Sequence, residues 1–266
     1  MWNNNPNNNR GDWRNRTQQN NRPGGFWGSP NNQPNGLGAW NNSRPGYAVG
    51  STSMAERSSL SAKVMTFTFF SILAAMAGAF VGAQMNLGFG GGSWILFMIA
   101  EIGLIFATYA FKDRMPINFV LLYSFAAVTG LAISPVIKIL TDAHYEGIIF
   151  QALGITAGLT LILTFYAWTT KRDFSGFAPY LFVAVIGLVL VGLLNMLFFH
   201  SPVLHMVYLY AGVVIFSFYL IFDVQQVKKF PDTVGNAVML SIGIYLDILN
   251  LFLFILQILM SLQDNR

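Results

Sequence analysis

The sequence predicts an all-α integral membrane protein of seven transmembrane helices, and three observations carry that reading. Charged residues make up 10% of the 266-residue chain and hydrophobic residues 54%. A soluble domain carries about 25% charged residues, so this chain lacks the charge to solvate a globular surface. Beyond Lys63 it divides into apolar stretches, each near the ~20 residues that a helix needs to cross ~30 Å of hydrocarbon. Lysine and arginine gather in alternate connections between those stretches.

Residues 1–56 form a tail of Asn, Gly, Pro, Arg and Ser. Such a segment cannot bury enough apolar surface to offset its chain entropy, and it is expected to be a disordered cytoplasmic tail. Met1 to Asn20 is polar throughout. It has no apolar core of a signal peptide, so the first true span is expected to act as the insertion signal. Trp2, Trp13, Phe26, Trp27, Trp40 and Tyr47 alternate there with Arg10, Arg14, Arg16, Arg22 and Arg44. Interleaved aromatics and arginines can serve RNA or a membrane surface. A loose, somewhat sticky tail is the simpler reading, and no nucleic-acid partner is expected. The pI of 9.4 reflects basic residues in the tail and at span ends, which is the signature of membrane topology.

The membrane domain is expected over 57–266, with spans at about 64–84, 93–111, 116–138, 149–169, 178–199, 205–226 and 237–261. Leu87 to Ser93 is glycine-rich, and Lys112 to Pro116 is charged and ends in proline. Thr141 to Glu146 is polar, and Thr170 to Phe177 carries Lys171, Arg172 and Asp173. His200-Ser201-Pro202 reads as a tight turn, and Lys228 to Asp232 as a basic loop closing on Pro231. Six spans is the alternative count, since the glycine-rich first span and the third, with Pro135, are the weakest.

Arg57 and Lys63, Lys112 and Arg114, Lys171 and Arg172, and Lys228 and Lys229 all fall on one side if the spans number seven. The other side holds Lys138, Arg266 and the three histidines. This segregation predicts a cytoplasmic N-terminus and an outer C-terminus, and an even count would spoil it. The chain has no cysteine, which excludes disulfides, thiolate metal sites and cysteine nucleophiles.

Three carboxylates fall inside apolar spans: Glu101, Asp223 and Asp247. Each costs roughly 2.5 kcal/mol or more at mid-helix, so such groups face a bundle interior and mark an ion or proton path, or else tie helices together. At 100° per residue Gly243, Asp247, Asn250 and Gln257 share one face of span seven. Tyr219 and Gln226 share the face of Asp223 on span six. The short loop makes spans six and seven antiparallel neighbours, and the two aspartates differ in depth by about 7 Å. Two carboxyls in a dry site cannot both ionise easily. They would share a proton and titrate as a coupled pair, which suits a pH sensor. Glu101 has Thr108 and Lys112 on its face of span two. Lys112 either snorkels as a topology anchor or pairs with an aspartate of the six–seven region and latches a pore.

The blocks Phe216-Ser217-Phe218-Tyr219-Leu220-Ile221-Phe222-Asp223-Val224-Gln225, Tyr245-Leu246-Asp247-Ile248-Leu249-Asn250-Leu251-Phe252-Leu253-Phe254 and Thr169-Thr170-Lys171-Arg172-Asp173-Phe174-Ser175-Gly176 occur in that combination and spacing. Together they resemble the Bax inhibitor-one family, also called the transmembrane Bax-inhibitor-motif family, over roughly residues 57–264. The resemblance implies seven transmembrane helices with the last wrapped by the other six. It also implies a pH-sensitive calcium leak gated on its cytoplasmic side by Asp223 and Asp247, which would hold Ca²⁺ only transiently. Bacterial members carry a glutamate in span two and an arginine eleven residues later. Glu101 matches the first, while Lys112 stands at the second without the bidentate fork of arginine. Ile133-Ser134-Pro135 departs from the Gly-Pro of many members. The tail points to a bacterial inner membrane, with an ER or Golgi member as the alternative.

Two functions compete. One is a passive, pH-sensitive calcium or cation leak channel, a monomer in the lipid bilayer that handles Ca²⁺ and H⁺, with Asn250 and the carboxyls as oxygen ligands and no resident cofactor. The other is a non-conducting regulator that binds a membrane protease or other membrane proteins. Ala74, Ala75, Ala77, Gly78, Ala79 and Gly82 would suit such docking. An enzyme is not expected: no HExxH zinc motif occurs, and Asp223 lies too near a loop for an aspartyl protease.

Overall fold

The computed structural model describes residues 54–85 and 93–264. The tail, and with it the expectation of disorder, lies outside them, except that a helix already begins at Met54. Among the described residues seven α-helices follow one another: α1 Met54–Gln84, α2 Ser93–Ala110, α3 Ile117–Asp142, α4 Glu146–Thr169, α5 Ala178–Leu194, α6 Pro202–Gln226 and α7 Val234–Asp264. A 3₁₀ turn, Ser175–Phe177, leads into α5, and a π turn, Asn195–Phe199, leaves it.

Six helical stretches are long and apolar enough to cross a bilayer: Ser58–Gln84, Ile117–Asp142, Glu146–Thr169, Ser175–Phe199, Pro202–Gln226 and Val234–Gln263. The expected second span is the exception. Its apolar stretch, Ile95–Ala110, is shorter than the other six. The turn from Phe111 to Pro116 closes it at its C-terminal end. The third span, suspect for its proline, is one continuous helix. Pro135 has no N–H to offer the Leu131 carbonyl, and the neighbouring Ser134 hydroxyl donates to that carbonyl instead at 2.7 Å.

Helix α7 is the most enclosed: 56% of its apolar window is buried, against 17–33% for the other five stretches. It packs chiefly on α6, α1, α4 and α3, while α2 rests mainly on α3 and α5 mainly on α6. The wrapping expected around the last helix is thus built principally by four neighbours. Leu220, Val224, Ile244 and Leu251 join α6 to α7 in a core that Leu60 and Val64 of α1 complete. Leu122, Phe125 and Ala126 of α3 meet Ile242 and Tyr245 of α7 in a second.

The small-residue face of α1 docks within the bundle. A Cβ on Gly78 would strike the Ala127 carbonyl of α3, one on Gly82 the Ser134 hydroxyl, and one on Gly130 of α3 the Ala75 carbonyl of α1. Without apolar driving force between helices in lipid, such backbone contact and van der Waals fit hold the pair together. The docking face expected to await another protein is, over these positions, occupied by α3.

Gly130→Val should therefore lower the thermal midpoint of the detergent-solubilised protein sharply, since forced overpacking costs about 1–3 kcal/mol or more and here both backbones must move. Gly103→Ala, where a Cβ meets nothing within 4 Å, should leave the midpoint unchanged. Equal midpoints for the two variants would contradict the close α1–α3 packing.

Candidate functional site

The polar stripe expected on α7 forms, but its members behave differently. Asn250 donates through Nδ2 to the Leu246 carbonyl at 2.8 Å, and Gln257 through Nε2 to the Leu253 carbonyl at 3.0 Å. Both amides turn back on their own helix. Asp247 does not: it is 4% exposed, and its Oδ2 is fully buried without a hydrogen-bond partner.

Asp223 approaches from α6. Its Oδ2 lies where a side chain at position 243 would begin, so the glycine one turn before Asp247 makes room for it. Asp247, one turn beyond that glycine, lies within the field of the Asp223 carboxyl. Tyr219, one turn before Asp223, lies within the field of both carboxyls. Gly243 stands four residues before Asp247, so Asp223 lies about 6 Å nearer the loop, close to the offset that residue count gives.

Two tyrosines escaped the sequence reading. Tyr109 of α2 lies within the field of Asp223. Tyr245 of α7 is 1% exposed, hydrogen-bonds to the Thr129 hydroxyl of α3 and packs edge-on against Phe125 with ring centroids 5.9 Å apart. Glu101 of α2 is half-buried and lies within electrostatic range of Tyr245. A tyrosine amid Leu and Ile reads as core, and only the polar partner on another helix marks it as more.

Lys112 sits in the α2–α3 turn, where its carbonyl accepts from Asn118 Nδ2 at 2.8 Å. Among the described residues the ion pairs are Lys63–Asp232, Lys138–Asp142 and Lys229–Asp173. Lys112 is in none of them, so in this conformation it does not pair with either aspartate of the site. Among the same residues, no group of three or more His, Asp or Glu side chains is disposed to hold a metal ion.

The end of the bundle nearest these carboxyls is tied by polar side chains. Gln225, 5% exposed, accepts from the Phe174 backbone N–H and donates to the Arg172 carbonyl, each at 2.9 Å. It fastens the α4–α5 loop to the end of α6. Lys228 donates to the carbonyls of Ala167 and Trp168 at 2.9 Å and lies 4.8 Å from the Trp168 ring centroid, a cation at the negative end of α4. Lys229 reaches Asp173 at 2.7 Å, and Lys63 of α1 reaches Asp232 at 2.9 Å. These lysines are fasteners as well as topology signals, which spacing along the chain does not reveal.

Two of the three blocks named from the sequence meet at the adjoining ends of α4 and α6, and the third forms the middle of α7. A family model described as inhibitor of apoptosis-promoting Bax1 matches residues 57–264. The chain belongs to the Bax inhibitor-one family. This is a non-catalytic family of membrane proteins. An uncharacterized protein of Helicobacter pylori (strain ATCC 700392 / 26695) is 32% identical over 84% of this chain and 96% of its own length. The inner membrane protein YbhL of Escherichia coli K12 is 30% identical over 60% of this chain and 71% of its own. The Golgi anti-apoptotic protein of vaccinia virus (strain Lister) is 35% identical over 61% of this chain and 66% of its own. With its six membrane-length helices, this Bax inhibitor-one chain is an integral, multi-pass membrane protein.

Two outcomes follow for the tied end. Gln225→Leu leaves one backbone donor and one acceptor unpaired in a buried place, at about 1–3 kcal/mol; it should speed trypsin cleavage after Lys171 or Arg172 in open vesicles, and wild-type cleavage rates would contradict the clamp. Hydrogen bonds from Lys63 and Ser59 hold the Asp232 carboxyl below its ordinary range. A depressed carboxylate contributes stability above its unfolded pKa, about 3.9, and that contribution is lost as pH falls through the lower folded value. Wild type should thus lose its stability margin over Asp232→Asn between about pH 5 and pH 3, and parallel curves would show the pair to be idle.

Proposed function

We propose that this Bax inhibitor-one protein is a pH-sensitive leak for calcium or related cations, gated by Asp223 and Asp247. The observation that carries this reading is the seating of the Asp223 carboxyl in the Gly243 notch, within reach of buried Asp247. When the two acids share a proton, they hold α6 and α7 together across the path. When that proton leaves, two like charges face each other in a poor solvent, and their repulsion favours separation or capture of a cation. Tyr219 lines the same place, while Glu101 and Lys112 stand along α2 as a further acid and a possible partner in a second conformation. Asn250 can turn from Leu246 to a passing ion.

In this reading α2, though short, completes seven crossings. The lysine-rich end with the N-terminal tail faces the cytoplasm, the C-terminus faces outward, and the membrane is the bacterial inner membrane. One bundle contains the whole site, so a monomer suffices.

The test is calcium influx into proteoliposomes from pH 6 to pH 8. Wild type should leak with a flux that changes several-fold across that range. Asp223→Asn and Asp247→Asn should each shift the profile or flatten it to within about twofold. Folded wild type that passes no calcium at any pH would sink the channel reading and leave a non-conducting regulator, recognised by copurification of a membrane partner.

A further inference from the structure

Helix α4 carries two hydroxyls that break the pattern of the rest of the bundle. Thr66, Ser71, Thr108, Thr169 and Ser217 each donate to the carbonyl four residues back in their own helix, the usual way a helical hydroxyl is satisfied in lipid. Thr156 and Thr160 do not. Thr156 is 3% exposed, and both hydroxyl oxygens are fully buried without a partner. The third buried side-chain oxygen in that condition among the described residues is Asp247 Oδ2.

These three oxygens lie in one region. The buried face of α4 packs on α6 and α7. Leu159, between the two threonines, packs against both the core that holds Leu220 and Leu251 and the one that holds Ala152 and Phe252. Counting 1.5 Å per residue, Thr156 stands about 20 Å from the Thr169 end of α4, Thr160 about 14 Å, and Asp247 about 20 Å from the Val234 end of α7. The Lys228 contacts hold those ends of the bundle together. A hydroxyl left unpaired in an apolar interior costs roughly 1–3 kcal/mol by protein mutational data, so two such hydroxyls one turn apart, near the level of Asp247, point to a polar occupant.

We infer that Thr156 and Thr160 line a hydrated seat for a cation, continuous with Asp247, at the α4–α6–α7 junction. Hydroxyls are neutral oxygen ligands suited to a hard cation that keeps part of its water. The seat gives an ion a further stop, on α4. This rests on the leak reading above and adds α4 to it.

The chain has no cysteine, so single thiols can be placed without background. Thr156→Cys, Thr160→Cys, lipid-facing Ile162→Cys and water-facing Asp142→Cys are reconstituted and exposed to Ag⁺. The thiols left free are then counted with a maleimide after denaturation. Ile162 is 67% exposed on the lipid-facing surface, and Asp142 has a side chain 63% exposed beyond the α3 end. The thiols at 156 and 160 should react at least about tenfold faster than the one at 162, since reaction needs water and a thiolate. Each position tests the seat separately, so one variant that fails to fold leaves the other decisive. Rates at both positions equal to that at 162 would overturn the seat, whatever calcium flux wild type shows. Fast reaction with no calcium flux would keep the seat and sink the leak reading. In a leaking protein, Thr156→Val should cut flux about fivefold or more and Thr156→Ser should restore it; unchanged flux in the valine variant would remove the ion from the seat.

Discussion

A carboxyl group deep in an apolar helix cannot face hydrocarbon, and the placement of Asp247 governs how the other helices lie. It is 4% exposed on a helix whose every neighbouring turn offers Ile, Leu or Phe. Shielding that one group from lipid requires protein around α7. The bundle supplies it with α6 on the Asp223 side, α1 and α3 behind Tyr245, and α4 across Leu251. The expense of an ionisable group in the membrane and the enclosure of the helix that bears it are thus one constraint seen twice.

The same constraint explains the concentration of fasteners at the lysine-rich end. Asp223 lies one turn from the end of α6, so a loose α6–α7 loop would let water and lipid headgroups compete for it. Gln225, Lys228 and Lys229 bind that loop region to the α4–α5 connection, and Lys63 binds the start of α7 to α1. Exposed ion pairs contribute little individually. Gln225 is different, because it is buried and satisfies two backbone groups at once.

Much of this was legible in the sequence for a physical reason: in a membrane, polarity is allowed only where it is used. Span limits, the lysine bias and the three intramembrane acids follow from that rule, and so does the polar stripe of α7. What escaped is what depends on a partner helix. Gly243 read as a member of the stripe, but its role is the room it leaves for Asp223. Tyr245 and Gln225 read as ordinary until Thr129 and the Arg172 carbonyl appear opposite them. Lys112 read either as a snorkelling anchor or as a latch on an aspartate of the six–seven region, and its place along one helix cannot say which helix its side chain meets. The small face of α1 was recognised as a docking surface, and only the fold shows that α3 fills it.

Two seams around α7 are closed by opposite means. On the α1–α3 side, glycines bring backbone against backbone, and no side-chain change can be absorbed at Gly78 or Gly130 without moving a helix. On the α4 side, Thr156 and Thr160 bury hydroxyls without partners. Close packing without strain makes the first seam a rigid wall. Unsatisfied oxygen makes the second the place where polar matter is least penalised on entering. Asp247, buried on the same helix, is shielded from lipid by the elements that form both seams.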